Sequence, residues 1–236
     1  MKLSIIIPVF NEEKTIGEIV KKVLDVNLPI KFIKEIIIVN DGSVDKTTDI
    51  LQGFKQKQIK IFTHIKNLGK GAAIRTGINN STGEIIIIQD ADLEYDPEDY
   101  HKLLNPFILR NAKVVFGTRL LYYPFKFWGA NKTVLPLHLF ANKFLTALTN
   151  ILYGSKLTDM ETGYKLFSSE VLKKISIKSD RFNFEPEITA KILKLNIPII
   201  EIPIVTKPRT YDQGKKIGFI DGLVAILTLL KYRFVQ

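Results

Sequence analysis

The chain has 236 residues, 46% of them apolar and 25% charged, and its 34 Lys plus Arg against 24 Asp plus Glu give a formal charge of +10. That composition excludes a disordered tail, a collagen and a coiled-coil rod, and the length suits one large α/β domain or two small ones. With no cysteine and only His64, His101 and His138, disulfides, thiolate-held metals and thiol nucleophiles are excluded, and any bound metal is a hard cation held by carboxylates.

Met1 and Lys2 lead into an apolar run that Pro8 cuts short, unlike a secretory leader. The rest of the first two-thirds alternates strand and helix. Residues 3–9 read as a continuous apolar strand, and residues 12–24 carry Ile16, Ile19, Val20, Val23 and Leu24 at helical spacing. Residues 35–40 (EIIIVN) are a second buried strand, and residues 45–54 a helix with Asp45 as its N-cap. Strands follow at residues 59–63, 84–89 (EIIIIQ) and 113–118 (KVVFGT), with helices at 69–80 and 97–109 between them. Continuous β-branched runs between helices mean strands buried on both faces, hence a mostly parallel sheet with helical cover.

Beyond Arg119 the pattern changes. Residues 120–128 are aromatic and basic, with Tyr122, Tyr123, Phe125, Phe127 and Trp128 around Lys126. Residues 135–153 form a long, mostly apolar helix, 185–195 another, 199–205 a strand, and 217–235 an amphipathic C-terminal helix. No run approaches the roughly 18 apolar residues that span a bilayer.

In an open parallel sheet, ligands bind beyond the carboxyl ends of the strands. Those exits carry Pro8, Phe10, Asn11 and Glu12, then Asp41 and Gly42, then Asn67, Gly69, Lys70 and Gly71, then Asp90, Ala91 and Asp92, then Arg119. Asp90 and Asp92 are spaced i and i+2, so an extended segment would aim both carboxylates at one cation, with Glu94 continuing the face. Oxygen-only ligands suit Mg²⁺ or Mn²⁺, which also take substrate phosphates; the plainer reading is a solvated acidic turn. N-L-G-K-G at residues 67–71 matches neither a P-loop nor a G-x-G-x-x-G dinucleotide fingerprint. Its small residues would admit a flat group or a phosphate at a helix N-terminus.

The order of the motifs carries more than any one of them. P-V-F-N-E, V-N-D-G-S, N-x-G-K-G, D-A-D and then D-M-E-T-G-Y-K at residues 159–165 resemble a family-2 glycosyltransferase of the GT-A fold. The nearest likeness is to the polyprenyl-phosphate branch, the dolichol-phosphate mannosyltransferases and related glucosyltransferases. The segment K-P-R-T-Y at 207–211 with G-K-K at 214–216 adds to it. The resemblance implies a single GT-A catalytic domain over residues 1–236, with a nucleotide-sugar half at 1–119 and an acceptor half with interfacial helices at 120–236. It implies inverting transfer of mannose or glucose from GDP-mannose or UDP-glucose to a polyprenyl phosphate; UDP-GlcNAc fits as well. Pro8, Phe10 and Glu12 would line the nucleoside pocket, and Asp41 would contact base or ribose. Lys70, Gly71 and Ala91 would lie beside the nucleotide. Asp90 and Asp92, with Glu94 as third ligand, would hold Mg²⁺ or Mn²⁺ and the diphosphate. Arg119, Arg209 and Lys215 would meet phosphates. Asp159 and Glu161 are the candidates for general base or acceptor-orienting group, undecided between them, with a turn or cap acid as the plainer reading of Asp159; Gly163 would allow a tight turn.

Related proteins of that branch often carry membrane spans after this domain. Here the expectation is a cytoplasmic protein touching the cytoplasmic face of a membrane peripherally, through residues 122–128 and the C-terminal helix. A homo-oligomer interface is the alternative use of residues 135–153. Transfer to a soluble hydroxyl is the alternative function. A basic nucleic-acid-binding module is the remote one, because buried isoleucine strands and acidic exits leave no stacking platform.

Overall fold

Isoleucine and valine runs make the strands, because β-branched side chains pack well on a pleated surface covered on both faces. The computed structural model describes residues 1–29, 32–121, 136–210, 212, 214, 216 and 218–235. Strands β1 (Lys2–Val9), β2 (Ile33–Asn40), β3 (Ile59–Thr63), β4 (Ile85–Ile88), β5 (Val114–Thr118), β6 (Lys165–Ser168) and β7 (Ile199–Pro203) form one sheet in the order β3-β2-β1-β4-β6-β5-β7. All described pairings are parallel except those of β6, which runs antiparallel to β4 and β5. β6 is absent from the sequence reading. Four residues beginning with a lysine carry no readable alternation, and only the gap between β4 and β5 makes them a strand.

The sheet alternates its burial in register. Ile5, Ile7, Ile36, Ile38, Ile85 and Ile87 face one layer, and Ile6, Ile86, Ile88, Val114, Phe116 and Phe167 the other. Each fully buried isoleucine contributes roughly 1.5–3 kcal/mol. The helices are α1 (Ile16–Asp25), α2 (Thr47–Gln52), α3 (Lys70–Asn79), α4 (Tyr100–Arg110), α5 (Pro136–Tyr153), α6 (Ser169–Leu172), α7 (Phe184–Lys194) and α8 (Phe219–Phe234). α1 and α4 pack into the first layer and α7 into the second. α8 lies on α5 and α7 through Leu145, Ala190, Ala225, Leu229 and Tyr232.

Among the helix starts that differ from the sequence reading are those of α1, α2 and α4, the last beginning at Tyr100 after a 3-10 turn at Pro97–Asp99. α1 begins at Ile16 rather than residue 12, because the Glu12 carbonyl accepts from the Thr15 and Ile16 amides at 3.1 and 2.9 Å and closes a turn first. Asp45 stands ahead of α2, where Oδ1 accepts from the Thr47 amide at 3.0 Å and Oδ2 from the Glu13 amide at 3.1 Å. It therefore ties two strand exits together. The sheet order places β2 and β4 on opposite sides of β1, so a crevice opens at the carboxyl end of β1.

Candidate functional site

That crevice is a cavity of about 500 Å³. One wall comes from the strand exits: Pro8, Phe10 and Glu12 after β1, Asp41 after β2, Asp90, Ala91, Asp92 and Glu94 after β4, and Arg119 after β5. The opposite wall comes from His138, Asn142 and Leu145 on α5, Glu185 on α7, and Asp221, Gly222 and Ala225 on α8. Lys70, Tyr95, Glu161, Gly163, Arg181, Arg209 and Lys216 also line it. Lys215 and residues 122–128 lie outside the described residues.

The acidic segment is not extended. After β4 the chain turns through Ala91–Glu94 with Leu93 at a φ of 63°, and Asp92 Oδ1 accepts from the Glu94 amide at 3.0 Å. The two aspartates still line one cavity, but each has its own cation. Lys70 Nζ lies 2.7 Å from Asp90 Oδ1, and Arg209 Nη2 lies 3.2 Å from Asp92 Oδ2. Burial, and then the neighbouring Asp90 and Glu94 carboxylates, push Asp92 up to about 6. Glu94 Oε1 accepts from the Arg209 amide at 2.9 Å. Among the described residues no group of three or more acids and histidines converges to hold a metal, so the expected three-carboxylate set does not form.

Arg209 also grips Glu12. Its Nη1 and Nη2 donate to Oε2 and Oε1, both at 3.0 Å, and Lys216 Nζ adds 2.8 Å to Oε1. Burial opposes ionisation of Glu12, but these two cations hold it below its usual range. Burial likewise opposes the charge on Lys70, but Asp90 and Glu185 hold its ammonium well above the usual range.

Asp41 turns mainly inward. Oδ1 accepts from the Leu68 amide at 2.9 Å and from His64 Nδ1 at 2.7 Å, and Oδ2 from the Gly69 amide at 2.7 Å. Thr76 Oγ1 meets the far ring nitrogen of His64 at 2.9 Å. Asp41 thus shapes the 64–69 loop as well as lining the cavity. The glycines of that loop do not await a ligand phosphate. A Cβ at Gly69 would strike the Asp180 carbonyl, and one at Gly71 the Ser179 carbonyl. The Ala72 amide donates to Asp180 at 3.0 Å. The chain's own residues 179–181 occupy the close approach to the start of α3, so Gly71 is not a cavity residue.

The D-M-E-T-G-Y-K motif separates its two acids. Asp159 is fully buried and takes the Arg119 amide, Nε and Nη2 at 2.9, 2.7 and 2.8 Å. Both its oxygens are committed, and the Arg119 fork expected on a phosphate is clamped to Asp159 instead. Glu161 reaches the cavity, and its Oε1 is buried with no hydrogen-bond partner. Burial, opposed by Lys165 and Arg119, pushes it up to about 7. Gly163 has no left-handed backbone. It is glycine because a Cβ would collide with Asp90 Oδ2 and the Tyr95 ring. The Gly163 amide donates to Tyr95 Oη at 2.7 Å, which fixes the motif against the acidic turn.

Lys165, Glu185 and Arg181 are among the residues of this site that escaped the sequence reading, as is Lys216. Lys165 is fully buried, with Nζ donating to the Met160 carbonyl at 3.0 Å, to the Thr162 carbonyl and to Glu185 Oε2 at 2.5 Å. Glu185 Oε1 lies 3.4 Å from Lys70 Nζ. In sequence Glu185 is an ordinary first-turn acid of α7, and no signal there marks it. Arg181, exposed at the cavity rim, reads in sequence as a loop charge.

A crevice at the switch point of a mostly parallel α/β sheet, lined by D-A-D and by Glu161 and Gly163 of the 159–165 motif, belongs to a GT-A-like fold. Residues 4–176 match the model of glycosyl transferase family 2, and the chain belongs to that family. It is similar to an uncharacterised protein of Methanocaldococcus jannaschii, 31% identical over 97% of this chain and 91% of that one. It is also similar to the dodecaprenyl-phosphate galacturonate synthase of Rhizobium johnstonii, 26% identical over 99% of this chain and 67% of that one. Its relatives support the likeness to the polyprenyl-phosphate branch. A fold neighbour is glucosyl-3-phosphoglycerate synthase of Mycobacterium tuberculosis, solved with Mn²⁺, UDP and glucosyl-3-phosphoglycerate. Its TM-score is 0.73 at 17% identity, over all of this chain and 81% of that one.

Proposed function

We propose that this glycosyltransferase moves a hexose, with inversion, from a nucleoside-diphosphate sugar to a polyprenyl phosphate. The observation that carries the reading is the two-sided cavity. Its strand side holds the aspartate pair, and its other side is built from α5 and α8, whose outer residues Leu137, Phe140, Leu223 and Leu227 are exposed. A donor diphosphate suits the first side, and a lipid-linked acceptor reaches the second from an apolar surface.

The donor set of Asp90 and Asp92 suits Mg²⁺ or Mn²⁺, which commonly take one or two carboxylates and complete their shell with phosphate oxygens and water. Bound there, the ion would offset charge on the departing nucleoside diphosphate. Lys70 and Arg209, already beside the aspartates, supply further positive charge toward the diphosphate. Pro8 and Phe10 shape the nucleoside end, and Asp41 holds the loop beneath it. Arg119 anchors the motif that presents Glu161. A phosphate acceptor is anionic at neutral pH, since its second pKa is about 6, and needs no base; Glu161 then orients it or remains protonated.

Transfer to a hydroxyl is the second reading, and Glu161 favours it. A carboxyl raised to about 7 with an unpartnered oxygen in the cavity has the properties of a general base. The deciding experiment incubates the protein with radiolabelled nucleotide sugars, Mn²⁺ and a short polyprenyl phosphate. Label entering the organic phase supports the lipid acceptor. Label confined to the aqueous phase with a saccharide acceptor overturns it.

A further inference from the structure

The two aspartates have matching surroundings. Asp90 is paired with Lys70, and Lys70 has a second carboxylate in Glu185. Asp92 is paired with Arg209, and Arg209 holds a second carboxylate, Glu12, by a two-pronged fork. The longer contact falls on opposite sides in the two arms. Lys70 lies 2.7 Å from Asp90 and 3.4 Å from Glu185, whereas Arg209 lies 3.0 Å from Glu12 and 3.2 Å from Asp92. Each cation can leave its aspartate without being stranded, which matters because an uncompensated buried charge is strongly destabilising. Glu185 is itself steadied by Lys165, and Glu12 by Lys216.

We propose that Lys70 and Arg209 are exchangeable counter-ions of the aspartate pair, and that Glu185 and Glu12 are the seats they keep when a divalent cation takes Asp90 and Asp92. The proposal rests on the metal role in the reading above. Glu185 and Glu12 are positioning residues that act through Lys70 and Arg209. Metal uptake is then an ion exchange that leaves both organic cations beside the metal, facing the donor diphosphate.

The test is Mn²⁺ binding to the full chain without nucleotide, followed by the electron paramagnetic resonance signal of free Mn²⁺, with thermal melting to confirm folding. Asp92→Asn is expected to lose binding. Lys70→Met is expected to tighten Mn²⁺ several-fold, because the competing cation is gone. Glu185→Gln is expected to weaken it several-fold in the natural background and to have little effect beside Lys70→Met. That dependence separates exchange from the loss of one nearby negative charge, which would weaken binding equally in both backgrounds. Arg209→Gln with Glu12→Gln repeats the cycle on the other arm, so a poorly folded Glu185→Gln does not decide the matter. Asp92-dependent binding that Lys70→Met and Arg209→Gln fail to tighten overturns the exchange and leaves the metal role standing. An absence of Asp92-dependent Mn²⁺ binding both without nucleotide and with added nucleoside diphosphate overturns the metal role and the exchange with it.

Discussion

Arg119 and Asp159 form a buried fork, whereas Glu161 presents a carboxyl to the cavity with one oxygen unpartnered. Opening a buried ion pair by removing one charge typically costs about 3–5 kcal/mol. Asp159→Asn is therefore expected to lower the unfolding free energy by that order in urea titration; a loss under about 1 kcal/mol would show that the pair is not holding the motif. Glu161 behaves in the opposite sense. Its folded pKa, about 7, stands above the ordinary 4.5, so proton loss favours the unfolded chain. Its penalty is absent below about pH 4.5, grows by about 1.4 kcal/mol per pH unit through the window to about 7, and is constant above it. Glu161→Gln removes this dependence, so the variant gains stability over the natural chain as pH rises from 4.5 to 7. Parallel stability curves in that window would refute the assignment. If the acceptor is a hydroxyl, the variant also loses the limb of kcat/KM that rises through about 7.

The 159–165 motif is an element-scale device. Its acids anchor Arg119 and reach the cavity, its lysine collects two of its own carbonyls and Glu185, and its glycine lets Asp90 lie against the backbone. Gly163→Ala places a methyl group against Asp90 Oδ2 and Tyr95, and such overpacking costs about 1–3 kcal/mol. The expected outcome is a melting point lower by several degrees together with weakened Mn²⁺ binding, because the displaced group is a candidate ligand. Unchanged Mn²⁺ affinity would place the strain on Tyr95 alone. The motif was readable as a string of chemistry-bearing residues. Its architecture was not readable, because β6 is defined by its neighbours β4 and β5 and Glu185 arrives from a helix twenty residues later. Likewise N-L-G-K-G read as a ligand cradle; Asn67, Gly69 and Lys70 do line the cavity, whereas Gly71 packs against the Ser179 carbonyl.

Across the whole molecule, α5 and α8 share a small core and leave Leu137, Phe140, Ile151, Phe219, Ile220, Leu227 and Phe234 outward. No described helix is long and apolar enough to cross a membrane. A helix pair with that exposed apolar surface, in a chain of net charge +10, would suit an anionic bilayer surface, where each Lys or Arg contributes about 1 kcal/mol. The protein is expected to sediment with phosphatidylglycerol vesicles at low salt and to be partly released at high salt. Phe140→Glu with Leu227→Glu is expected to stay in the supernatant. A natural chain that stays in the supernatant at both salts would remove the membrane contact and strengthen the soluble-acceptor reading.

The sequence by itself determined the buried parallel strands, the crevice edge where their exits meet and the order of motifs that marks the family. These are local or one-dimensional properties: β-branched runs, turn residues after strands, and short spacings. Tertiary structure alone decided which charges meet. Lys70 and Glu185 lie 115 residues apart, and Arg209 and Glu12 lie 197 apart, yet they meet beside the two aspartates. It also gave Asp159 and Glu161 different surroundings, because Arg119 pairs with one acid while the other lines the cavity. A carboxylate's chemistry follows from the charges and solvent around it, and those are supplied by segments that chain order keeps far apart.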